Sequence, residues 1–121
     1  MKHLFIVLTS IFIISCATNV EEDLSVDICV PADASFSKDI HPILISSCVK
    51  CHGGTNPQNG LNYESYEGTL ISVSAGKPEN SSLYGTVSHT FGSEMPYLEG
   101  KIPDCEIEKI KNWILNGAKN D

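Results

Sequence analysis

The chain has 121 residues, 41% of them hydrophobic and 19% charged, with a mean hydropathy of -0.03. That bounds it to one small domain plus any processed segment, and excludes both a disordered polymer and a polytopic membrane protein. Eight lysines and no arginine stand against fifteen acidic residues, for a net charge of -7, so the basic footprint that a nucleic-acid partner requires is missing.

Lys2 and His3 precede an uncharged run of 11 residues, Leu4 to Ile14. This is the charged head and apolar body of an export signal, too short to span a bilayer. It ends in Ile13-Ile14-Ser15-Cys16, which resembles the lipobox of bacterial lipoproteins, with Ile13 where leucine is commonest. The resemblance implies cleavage after residue 15, lipidation of Cys16, and an exported, periplasmic or cell-surface protein held to a membrane by its N-terminal lipid. The chain would then keep 106 of its 121 residues and, without Lys2, carry -8 rather than -7. Residues 16–35 are acidic and aperiodic and are expected to form a tether, leaving 36–121 as the folded domain.

From Phe36 the pattern becomes helical. Ser37 is the expected cap, Asp39 suits the first turn, and Ile40, Ile43, Leu44 and Ser47 fall at helical spacing. Pro42 has to lie in a first turn or at a 3₁₀ start. Residues 52–62 are turn-rich. Short helices are expected over Tyr63–Ile71 and, after a turn at Lys77–Ser81, over Ser82–His89 with Leu83, Tyr84 and Val87 on one side. Residues 90–103 are punctuated by glycine and proline. A last helix begins with Asp104 as its expected cap, presents Ile107, Ile110, Trp113, Ile114 and Gly117 on one face, and stops at Gly117. No segment alternates cleanly enough for a strand. Roughly 80–85 residues of short helices and long loops bury too little apolar surface to be comfortable alone.

Cys48-Val49-Lys50-Cys51-His52 carries the chemistry. Cys-x-x-Cys-His is the attachment signature of c-type haem: one turn separates two thiols that form thioethers to one porphyrin edge, and the adjacent histidine supplies an iron ligand. The haem would also fill the centre of a chain too small to do so itself. A thioredoxin-like pair needs a βαβ setting that the sequence lacks. A zinc site needs two further ligands, for which Cys29 and Cys105 are the only cysteines to hand. The second axial ligand is sought among Met95, His89 and His41. Met95-Pro96 is preferred, because a proline-stiffened loop just before the last helix can present a thioether, which raises the reduction potential relative to a second imidazole. His89 is its rival, and His41 reads as a helix-surface residue.

These residues together resemble a class I cytochrome c domain, more narrowly the small mono-haem lipoprotein modules known as planctomycete-type cytochrome c. The likeness rests on Phe36-Ser37-Lys38-Asp39-Ile40-x-Pro42-Ile43-Leu44, Cys48 through Gly54, Gly76 through Tyr84, Met95-Pro96 and Ile110-x-x-Trp113-Ile114-x-x-Gly117-Ala118, over about residues 36–119. It implies an all-α fold of short helices and long loops packed around one covalently bound haem c, with an N-terminal helix crossing the C-terminal one. His52 becomes the proximal iron ligand and Met95 the distal one. Tyr97-Leu98-Glu99-Gly100 replaces a glycine-rich stretch common after the family's Met-Pro, which bears on the shape of that loop.

With Cys16 lipidated and Cys48 and Cys51 holding haem, Cys29 and Cys105 remain; in an oxidising compartment they suggest a disulfide, with two separate thiols as the alternative. Trp113 has two possible settings, beside the haem or between helices. Tyr63, Tyr66, Tyr84 and Tyr97 are candidate donors to haem propionates. The implied activity is electron transfer by a membrane-anchored, non-enzymatic carrier whose acidic surface suits redox partners with basic docking patches. The alternative is a haem-based sensor or binding module with a displaceable distal ligand.

Overall fold

The computed structural model describes residue 29 and residues 31–121. The expected export signal, Cys16 and most of the expected tether lie outside the described residues. Within them the chain is built of short helices and loops, with no strand.

A widened π turn, Phe36–Ile40, runs directly into helix α1, His41–Ser47. Pro42 explains the widening. Its ring crowds the carbonyl four residues back and it has no N–H to give. The turn before it therefore opens, and the N–H groups of Ile40 and His41 reach back five residues to the carbonyls of Ser35 and Phe36. The cap is Ser35, not Ser37. Ser35 Oγ accepts from Lys38 N–H at 3.3 Å, and Asp39 returns the bond by accepting from Ser35 N–H at 3.0 Å. The Ser37 N–H instead donates to the Asp121 carbonyl.

Helix α2, Tyr66–Leu70, is shorter than the spacing suggests. Ser65 caps it through Gly68 N–H, while Asn62 Oδ1 accepts from Glu64 N–H and holds 62–64 in a local turn. Helix α3, Ser82–Val87, stops two residues early because His89 adopts a φ of 59°. Helix α4, Asp104–Leu115, begins with Asp104 inside it; Pro103 occupies the cap position and its carbonyl accepts from Glu106 and Ile107. Asp104 pairs with Lys101 at 3.0 Å instead of capping. Gly117 ends the helix at a φ of 98°, is itself exposed, and passes the last buried place to Ala118.

Ile107, Ile110, Trp113 and Ile114 of α4 are all buried, each contributing about 1.5–3 kcal/mol. They pack beneath Phe36, Ile40, Ile43 and Leu44. Phe36 lies 5.6 Å from the Trp113 ring and edge-on to Tyr66 at 5.1 Å. Trp113 Nε1–H donates to the Lys119 carbonyl at 2.9 Å, so the indole is fully satisfied within the helix–helix core. That resolves its setting. Packing begins upstream of residue 36: a 3₁₀ turn at Pro31–Asp33 lies against α4, Ala34 is buried, and Asn116 donates to the Ala32 carbonyl at 3.0 Å. Cys29 and Cys105 are joined as a disulfide, which pins this N-terminal approach to the first turn of α4.

Candidate haem site

Helix α1 delivers Cys48. Its N–H donates to the Leu44 carbonyl, and the Cys48 carbonyl in turn accepts from both Cys51 and His52. One continuous turn therefore carries the two thiols and the imidazole. Gly53 is required by close approach: an added Cβ would stand 2.6 Å from Val49 Cγ1 and 2.7 Å from the Val49 carbonyl. Gly54 follows at a φ of 74°, sending the chain into the 52–62 loop.

That loop folds back to orient His52, which is buried. His52 Nδ1 lies 3.1 Å from the Gln58 carbonyl. A carbonyl only accepts, so Nδ1 carries the proton and the Nε2 lone pair is left free for a metal. Tyr63 N–H donates to the His52 carbonyl at 2.8 Å, and the Tyr63 ring stands edge-on to the imidazole at 5.4 Å. Burial pushes the Tyr63 phenol upward, with the Ser72 hydroxyl opposing it.

Two cavities flank His52. One is walled by Cys48, Cys51, Pro96 and Tyr97, the other by Tyr63, Leu61 and Thr86. His52 and Met95 are the two residues common to both. Trp113 lines neither. His89, the rival ligand, lines neither as well; its Nε2 lies 3.2 Å from the Met95 carbonyl. His41 lies elsewhere, with Nε2 3.1 Å from the Glu64 carbonyl. Among the tyrosines, Tyr66 donates to the Ala118 carbonyl at 2.7 Å, Tyr84 is half-buried, and Tyr97 stands exposed at the rim.

The donor set fits a covalently held haem. Cys48 and Cys51 are both free thiols on the cavity wall, on the turn that carries the imidazole. Burial, assisted by the nearby Glu106 carboxylate, pushes the Cys48 thiol up to about 11. The thioredoxin-like reading needs a βαβ setting, and the described residues contain no strand. The four-thiolate zinc site is excluded by the bond between Cys29 and Cys105; among the described residues no other cluster of histidine, cysteine and carboxylate could hold a metal ion.

Sequence reasoning did not find the Gln58 carbonyl, the packing of Tyr63 on His52, or the link from His89 to Met95. The first is a backbone group, which any residue type supplies. The other two require the return path of a loop.

Residues 48–97 match a family model described as planctomycete cytochrome C. No curated protein and no solved structure matches the chain. The match implies covalently bound haem c with its iron, and both free thiols fall inside the matched segment.

Proposed function

We propose that this chain, whose residues 48–97 match the planctomycete cytochrome C model, is a lipid-anchored one-electron carrier with a single haem c, ligated by His52 and Met95. When bound, the haem supplies a one-electron ferric/ferrous couple. The remaining work falls to the chain. Cys48 and Cys51 hold the porphyrin edge, and the Gln58 carbonyl keeps the His52 proton on Nδ1 so that Nε2 faces the metal. The Met95 thioether favours the reduced state. Buried Tyr63 and half-buried Leu61 line the cavity on the histidine side and limit the water that reaches it. Two axial protein ligands leave no open position for a substrate, which suits a carrier rather than an enzyme. The observation that carries this reading is that His52 and Met95 alone are shared by the two cavities, one of which the free thiols line.

Export and lipidation at Cys16 complete the proposal and rest on the sequence before residue 17. Among the described residues no helix is long and apolar enough to cross a membrane; the proposed anchor is the lipid on Cys16. The acidic surface favours redox partners with basic docking patches. The test is a pyridine haemochrome spectrum on protein matured with the c-type attachment machinery, together with the weak near-infrared band of methionine-ligated ferric haem. One haem per chain and a band lost in Met95→Ala are expected. A band that survives Met95→Ala, or a colourless wild type with both thiols titratable, overturns the assignment. Carbon monoxide binding to the reduced wild type at neutral pH would favour the sensor reading instead.

A further inference from the structure

We infer that His89 is a positioning residue for the distal ligand: it clamps Met95 through the backbone rather than competing with it for the iron. The inference rests on the assignment of Met95 proposed above. Met95 is bracketed by two hydrogen bonds. Its N–H donates to the Thr86 carbonyl at 3.1 Å, and its own carbonyl lies 3.2 Å from His89 Nε2. Because that carbonyl can only accept, Nε2 carries the proton and offers no lone pair to a metal, while Nδ1 faces Glu94. His89 closes a loop of seven residues, 89 to 95, onto itself.

The rest of the loop is tied to the end of α3. The N–H groups of Thr90 and Phe91 both donate to the Gly85 carbonyl at 3.0 Å, and the His89 N–H donates to Thr86 at 3.3 Å. Helix-end carbonyls that would otherwise lack partners thus anchor both ends of the loop. His89 turns the chain there at a φ of 59°, a region in which histidine, asparagine and aspartate are enriched. Its side chain is 21% exposed and its Nδ1 stands 3.9 Å from Glu94, within the same loop. The imidazole therefore touches the two residues that precede Pro96, Glu94 and Met95. Among the described residues, the Met95 backbone hydrogen-bonds to Thr86 and His89 alone.

An outside ligand that displaces Met95 must lift this loop, and the lift includes breaking the His89 bond. One neutral hydrogen bond of this kind changes the displacement equilibrium by about fivefold. The experiment uses the matured holoprotein in its ferric form, with imidazole as the displacing probe. His89→Asn keeps a residue at ease with positive φ, but its amide falls short of the Met95 carbonyl; His89→Gln reaches it. The expected result is an apparent imidazole affinity about fivefold higher in His89→Asn, with a weaker near-infrared methionine band, and both returned to within about twofold of wild type in His89→Gln. Equal affinity and band intensity in wild type and His89→Asn would overturn the clamp while leaving the His52/Met95 assignment intact. A wild type with no methionine band would instead sink that assignment, and the clamp with it. Loss of the low-spin spectrum in both variants, with the band absent throughout, would make His89 the ligand.

Discussion

Replacing Cys29 and Cys105 together by serine removes the covalent tie between the N-terminal approach and α4, and its cost follows from the chain separation. The two residues are 76 apart. In the chain-entropy treatment, opening a loop of that size returns about 4.5 kcal/mol of freedom to the unfolded state at room temperature. The thioether attachments at Cys48 and Cys51 lie inside this loop and span one turn, so they do not shorten it. A domain of this size has about 5–14 kcal/mol of stability in total, so the loss is a large fraction of the whole. The assay is guanidinium unfolding of the matured protein followed by far-ultraviolet circular dichroism. The midpoint should fall by about 1–2 M. The haem spectrum of the native state should not change, because the effect acts on the unfolded chain. A midpoint within about 0.2 M of wild type would refute the reasoning. So would two alkylated thiols at 29 and 105 in the unreduced wild type.

Gly85→Ala puts a Cβ 2.4 to 2.6 Å from the Phe91 ring, which is 40% exposed and free to swing out. Better helix propensity, worth about 1 kcal/mol, offsets the displacement, so overall stability stays close to wild type while imidazole binding to the ferric protein tightens. Unchanged imidazole affinity would show that Phe91 does not secure the loop. Gly53→Ala meets the Val49 carbonyl, which is backbone and cannot step aside. The expected outcome is a severalfold lower yield of haem-loaded protein from matched expression, and a wild-type yield would count against the close approach. Asp39→Asn reads a pH-dependent contribution. Burial works against the Asp39 charge, but the Ser35 N–H and the Lys109 ammonium, 3.2 Å away, outweigh it and hold the carboxyl below its ordinary value. A lowered folded-state value means stability that is present above the unfolded value near 4 and is lost as pH falls through the folded one. The variant should therefore be about 0.5–1 kcal/mol less stable at pH 7, with the gap closing below about pH 4 in urea titrations. A gap that persists at pH 2 would assign the loss to packing.

How much was legible depends on whether a feature is local. The Cys48–His52 turn was, since attachment chemistry dictates residue type and spacing within five residues. The apolar face of α4 was legible for the same reason, and Ile107, Ile110, Trp113 and Ile114 are all buried. Helix starts were read one or two residues off at Ser37 and Asp104. In both cases a neighbour won: Ser35 forms a reciprocal bond with Asp39, and Pro103 sets the first turn of α4. Ser37 and Asp104 have suitable side chains, but composition cannot say which of two adjacent candidates holds the extended backbone that a cap needs.

The choice between Met95 and His89 shows the other limit. Six residues separate them, and either could be swung toward His52 by a loop of that length. The sequence could weigh ligand chemistry, the stiffness of Pro96 and the place of each candidate along the chain. The fold adds a constraint that composition lacks: the carbonyls of Gly85 and Thr86 at the end of α3 need donors, and the loop supplies them from residues 89, 90, 91 and 95. Once those bonds are made, His89 Nε2 meets the Met95 carbonyl, and Met95, not His89, shares both cavities with His52. On the proposed assignment, the helix end thus sorts the two candidates into ligand and clamp. Lengthening the loop by one glycine between Gly92 and Ser93 should undo the sorting: the His89 bond can no longer close in register. Imidazole affinity should then rise to at least the level of His89→Asn. A wild-type affinity in the lengthened protein would mean that Met95 is held by the iron alone and owes nothing to the loop.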